Sequence, residues 1–128
     1  MSIVISAEIG INHNGDMSIC KQLIDAAAES GADCVKFQMR DLKSLYKNKG
    51  NDNDGSADLG EQYTLDLLSR FQLKNEDLFE IFDYCKEKGK MPLCTPWDLE
   101  SLATLEEYGM QAYKVASADL TNLELLAA

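Results

Sequence analysis

Gly31-Ala32-Asp33-Cys34-Val35-Lys36-Phe37-Gln38 is the stretch whose reading decides the fold. A helix-ending glycine leads into a strand too apolar for a sheet edge, and that strand carries a lysine. A buried ammonium without a partner costs several kcal/mol, so the lysine needs a reason. Two readings stand. Lys36 lies on a solvated face or snorkels at the strand end. Alternatively, it is a cation held at the mouth of a parallel sheet for an anionic ligand.

Upstream, Ile3 to Ile9 is a β-rich run broken by Gly10 and the turn cluster Asn12-His13-Asn14-Gly15. Asp16 or Ser18 caps the next helix, whose Ile19, Leu23, Ala26 and Ala27 fall at helical spacing before Gly31. Downstream, residues 40–62 break the rhythm with the polar run Lys47 to Gly55, a long loop that reads as a functional lid or a mobile segment. Thr64 to Phe71 reads as a short helix. Asn75 begins a clear helix with Leu78, Phe79, Ile81, Phe82 and Cys85 as its apolar stripe and Gly89 after it.

A third strand runs from Met91 to Thr95 and stops at Pro96. Asp98 caps a helix through Leu102, Leu105 and Tyr108, closed by Gly109. Ala112 to Ala116 reads as a fourth strand, and Leu120 to Leu126 as the beginning of a fourth helix. This alternation is the rhythm of an α/β fold with a parallel sheet. It fits a doubly wound sheet, or half of an eight-stranded (β/α)8 barrel, which normally takes about 250 residues.

Composition bounds the function. The chain has 128 residues, 45% hydrophobic and 27% charged, as expected of one globular domain. Its net charge of −10 argues against a nucleic-acid partner, and an anionic substrate needs a local positive pocket. No apolar run reaches the ~18 residues of a membrane span. The start Met1-Ser2-Ile3-Val4-Ile5 lacks a signal-peptide pattern, so a cytoplasmic location is expected. Cys20, Cys34, Cys85 and Cys94 form no CxxC pair and read as buried, reduced thiols.

Ligands of parallel α/β folds bind beyond the carboxyl ends of the strands. Here those ends offer Glu8, Lys36 with Gln38, Thr95, and Lys114 with Ser117 and Asp119. Two lysines with two hydroxyls make a phosphate cradle of point charges; no GxGxxG or GxxxxGK[ST] loop is present. Glu8 is a candidate base or metal-water contact. His13, the single histidine, sits in a turn and reads as a loop hydrogen-bonder rather than a metal ligand or triad member.

Ala7-Glu8-Ile9-Gly10-Ile11-Asn12-His13-Asn14-Gly15-Asp16 resembles the N-terminal signature of the sialic acid synthase family. The opening stretch, Cys94-Thr95-Pro96 and Tyr113-Lys114-Val115-Ala116-Ser117 resemble its later motifs, in the same order. The resemblance implies a (β/α)8 barrel, usually followed by an antifreeze-like domain. It implies condensation of phosphoenolpyruvate with an open-chain N-acetylmannosamine-type sugar, with a divalent metal (Mn2+ or Mg2+) polarising the aldehyde. By the same resemblance Lys36, Thr95, Lys114 and Ser117 match phosphoenolpyruvate-binding positions, and Gln38 lies beside that ligand. Glu8 matches the acidic residue near sugar and metal, and Asp119 stands where many members have a glutamate.

The family's metal-binding histidines lie on later strands. Residues 1–128 are therefore expected to form the first half of the barrel, about four βα units, without the antifreeze-like domain. An isolated half is expected to show little activity and to self-associate as a homo-oligomer through its open faces. The competing reading is a non-catalytic phosphate-binding half-barrel module.

Overall fold

The computed structural model describes residues 3–45 and 66–128. Strand β1 (Ser6–Gly10), helix α1 (Met17–Glu29), strand β2 (Cys34–Met39) and the single turn α2 (Leu42–Leu45) come first. Residues 66–71 are helical. Then follow α3 (Asn75–Glu87), β3 (Met91–Pro96), α4 (Leu99–Tyr108), a 3-10 turn at Ser117–Asp119 and α5 (Leu123–Ala127). The strands form one parallel sheet in the order β1-β2-β3. The fold is the expected alternating α/β type.

Local chemistry explains the boundaries. Asp16 caps α1, accepting from the backbone N–H groups of Ser18 and Ile19 at 2.7 and 3.0 Å. Asp98 caps α4 through the Ser101 N–H at 2.7 Å. Gly109 closes α4 in the left-handed region at φ 79°, where a side chain would be strained.

Alternation along β2 separates two faces. Val35, Phe37 and Met39 enter a core with Cys20 and Ile24 of α1, Leu78, Ile81, Phe82 and Cys85 of α3, and Leu105 of α4. The Phe37 and Phe82 rings meet edge to face at 5.6 Å, a contact contributing about 1 kcal/mol beyond burial. Ile9 of β1 and Cys94 of β3 join the same core. Lys36 and Gln38 are absent from it and stand on the opposite face.

Three expectations change. Residues 112–116 do not form a strand; a parallel bridge between Cys94 and Tyr113 and the bond from Lys114 N–H to the Cys94 carbonyl (3.0 Å) are what remains. Among the described residues that segment pairs with β3 alone, and Val115 is 47% exposed. The helix expected over 120–126 starts only at Leu123, as α5, because Asn122 caps it there by accepting from the Leu125 N–H. Among the described residues β1 lies at the edge of the sheet. The loop expected over 40–62 includes the turn α2; its polar run, with Thr64 of the short helix, lies outside the described residues.

Candidate active-site face at the strand ends

The parallel register sets the site. Glu8 is level with Lys36, Lys36 with Leu93, and Gln38 with Thr95. Level residues share a face, so Glu8, Lys36, Gln38 and Thr95 stand together on the side away from the helices. Because β2 is flanked by both other strands, Lys36 is only 4% exposed. Its Nζ lies 2.9 Å from Glu8 Oε2, while the Glu8 side chain on the edge strand is 59% exposed. One partner of this pair is dry and the other is wet.

Thr95 is 2% exposed, and among the described residues its hydroxyl has no hydrogen-bond partner. A buried hydroxyl left unpaired costs about 1–3 kcal/mol, which marks a place where an acceptor or donor belongs. The Trp97 indole N–H, one alternation further along the same chain direction, is likewise buried and unpartnered. Gln38 Oε1 accepts from Arg40 Nη2 at 2.5 Å, and the Arg40 guanidinium stands 4.4 Å from the Trp97 ring centre. Arg40 and Trp97 were not singled out by the strand-end reading. The signal was present in the i, i+2 series Lys36, Gln38, Arg40 and in Thr95, Trp97.

The segment after β3 carries the remaining strand-end residues. Lys114 and Ser117 are exposed. Lys114 lines an apolar cleft of about 300 Å3 with Pro96, Leu102, Tyr113 and Leu125. Asp119 accepts from Asn122 Nδ2 at 3.1 Å through Oδ1, and its Oδ2 is buried without a partner.

The β1–α1 turn holds the end of β1. His13 is 2% exposed, and its Nδ1 accepts from the Gly15 N–H at 3.1 Å. Burial pushes the imidazole below its ordinary pKa, and a hydrogen bond with the Gly10 backbone partly opposes that. His13 is thus the loop hydrogen-bonder that its position in the turn implied. Among the described residues no group of three or more His, Cys, Asp and Glu side chains is placed to hold a metal ion. The residues around Glu8 do not by themselves fit the divalent metal that the resemblance implied.

Known proteins fix the family. The model of the NeuB family matches residues 23–128. The chain belongs to the NeuB family. It is 36% identical to the N,N'-diacetyllegionaminic acid synthase of Campylobacter jejuni, covering 96% of this chain and 37% of that one. It is 30% identical to the human N-acetylneuraminate-9-phosphate synthase, covering 95% of this chain and 34% of that one. The crystal structure of the N-acetylneuraminic acid synthetase of Leptospira borgpetersenii superposes with a TM-score of 0.83 at 25% identity, over 98% of this chain and 40% of that one. This NeuB-family chain therefore spans between a third and two fifths of the length of these relatives. No helix among its described residues is long and apolar enough to cross a membrane.

Proposed function

We propose that residues 1–128 supply the phosphoenolpyruvate-binding half of a nonulosonate synthase, a cytoplasmic transferase that joins phosphoenolpyruvate to an N-acetylmannosamine-type sugar. The observation that carries this reading is the buried Lys36 ammonium on the same face, at the strand ends, as the buried Thr95 hydroxyl, which has no partner among the described residues. Phosphoenolpyruvate offers carboxylate and phosphate oxygens to both. A cation fixed in a dry site acts on such oxygens more strongly than one in water.

The chemistry assigned to each residue follows from its place. Ligand oxygens take over Lys36 and release Glu8, whose exposed carboxylate is then free to hold a proton beside the reacting carbons. Thr95 supplies a hydroxyl and Gln38 an amide to the same ligand. Lys114 and Ser117 close on the phosphate from the segment after β3. Asp119, with one buried unpartnered oxygen, takes the second catalytic place. In the reaction the enol carbon bonds to the sugar aldehyde carbon, water adds at the neighbouring carbon, and phosphate leaves with cleavage of its C–O bond. The Mn2+ or Mg2+ of such synthases is assigned no ligand among the described residues.

Under this reading residues 1–128 form the first βα units of a synthase barrel, with the other units and the antifreeze-like domain elsewhere. The chain alone turns over little or no substrate. It also self-associates: β1 is a sheet edge, and the adjoining Ile3, Val4 and Ile5 are 86%, 64% and 58% exposed. Sedimentation velocity is expected to show association, and a monomer at micromolar concentration removes that part of the proposal.

Calorimetric titration of phosphoenolpyruvate into the chain tests the main claim. Binding that is abolished by Lys36→Ala is expected. Absence of binding at millimolar ligand, or equal binding by the variant, overturns it. The second reading is a phosphate-binding module that uses the same Lys36 and Thr95 face without the chemistry. Restoring Lys36→Ala and Lys114→Ala in a longer, active protein separates the two: loss of turnover in both favours the enzyme.

A further inference from the structure

We propose that Arg40 is a positioning residue that fixes the polarity of the Gln38 side-chain amide, so that Gln38 meets its ligand as a hydrogen-bond donor. The proposal deepens the reading of the strand-end face as an anion site and rests on that reading for its ligand.

An amide side chain can present oxygen or nitrogen, and its two orientations have nearly the same shape. Here the choice is made by chemistry. Arg40 Nη2 donates to Gln38 Oε1 at 2.5 Å. A guanidinium has donors only and stays charged, so it accepts only the oxygen end of the amide. The reverse orientation sets N–H against N–H. With the oxygen committed, the Nε2 group must point the other way.

That other way is the end of β1. A Cβ placed on Gly10 would stand 3.4 Å from Gln38 Nε2, so the amide nitrogen lies over the bare glycine backbone. Gly10 is two residues past Glu8, whose carboxylate meets Lys36. No acceptor among the described residues engages Nε2. The N–H2 group thus adds donors to the face that already carries the Lys36 ammonium and the Thr95 hydroxyl. Such a set recognises carboxylate or phosphoryl oxygens and disfavours a ligand group that can only donate.

Arg40 can set this polarity because it is held itself. Its guanidinium lies over the Trp97 ring at 4.4 Å. Its carbonyl accepts from Gln72 Nε2 at 2.7 Å. On either side, the backbone N–H of Trp97 donates to the Met39 carbonyl at 3.1 Å and that of Asp41 to Asp98 Oδ2 at 2.8 Å. The end of β2 is tied to the end of β3 and to the cap of α4.

The test is a double-mutant cycle on phosphoenolpyruvate affinity, read by calorimetry, with Arg40→Met, Gln38→Met and the double variant. Each single change is expected to weaken binding about tenfold, the worth of one hydrogen bond to a charged group. The double variant is expected to lose no more than Gln38→Met alone, and Arg40→Lys, which keeps a donor, to recover part of the loss. Additive losses overturn the proposal. A second measurement needs neither variant nor ligand. In the NMR spectrum of the wild-type chain the Gln38 Nε2 protons are expected to show stronger NOEs to the Gly10 α-protons than to the Arg40 guanidinium. The opposite pattern overturns the proposal. Failure of the wild-type chain to bind phosphoenolpyruvate, with the expected NOEs, removes the anion-site reading and leaves the Arg40–Gln38 relationship standing.

Discussion

Lys36 Nζ and Glu8 Oε2 are 2.9 Å apart, yet Lys36 is 4% exposed and the Glu8 side chain 59%. The pair is therefore unequal. Glu8 keeps most of its hydration, while Lys36 has given up nearly all of its own. Replacing Glu8 by Gln leaves a buried ammonium without its counter-charge. A loss of about 1–2 kcal/mol in urea-unfolding free energy is expected, below the ~3–5 kcal/mol for breaking a fully buried pair because half of this one is wet. An unchanged midpoint would show that the pair does not hold Lys36.

Lys36→Met is expected to behave in the opposite way. It removes the desolvated charge and keeps the stem volume, so the fold should be unchanged or up to about 2 kcal/mol more stable. Phosphoenolpyruvate binding should vanish in the same protein. Stability and function would then part company at a single residue, which marks a residue retained for a ligand. Thermal unfolding and calorimetry on one preparation check both halves. A strongly destabilised Lys36→Met would make the lysine structural.

The order of elements was readable because periodicity, capping residues and glycines agree: Asp16, Asp98, Gly31 and Gly109 each do what their type implies. So was the special standing of Lys36, an apolar strand being a costly place for a cation. The fourth strand was not readable in the same way. Residues 112–116 have strand composition, but a strand exists only when a neighbour completes its ladder, and here only Cys94 pairs with Tyr113. Arg40 and Trp97 were missed because each lies one alternation past the apparent strand end, where the face is continued by cross-strand stacking.

Gly15 stands at φ 73°, and a Cβ there would come within 2.7 Å of the Arg70 carbonyl oxygen. Both the backbone conformation and the space demand glycine. Gly15→Ala is expected to cost about 2–3 kcal/mol, more than the usual ~1 kcal/mol for a left-handed position, since a backbone carbonyl must move as well. Chemical denaturation measures it. A cost below ~1 kcal/mol would mean that the segment around Arg70 yields easily.

Burial pushes the thiols of Cys20, Cys85 and Cys94 up to about 12. The nucleophile is the thiolate, so at pH 8 these side chains are protonated as well as enclosed. Labelling of the native chain by a disulfide reagent is expected to be at least about a hundredfold slower than in urea, the gap set by the free energy of opening. All four cysteines are buried and free, so labelling should be limited by unfolding. Rapid labelling of the native protein at one of these three sites would show a local opening of the α1–α3 core.

His13 is expected to give the fold an acid limit. Its folded-state pKa lies below the ordinary 6.5, chiefly because it is buried. The unfolded chain therefore takes up a proton at higher pH than the folded one, and stability rises with pH across this interval. The contribution is complete above about pH 6.5 and is lost as pH falls from there toward the folded-state value. Protonation also removes the lone pair on Nδ1 that accepts from Gly15, so charge and hydrogen bond fail together. Unfolding free energies measured between pH 8 and 5 should fall in the wild-type chain. In His13→Gln, which has no titrating group at this site, the fall should be shallower by the same histidine's share, on top of a lower plateau at pH 8. Parallel curves for the two proteins would place the acid sensitivity in the carboxylates instead.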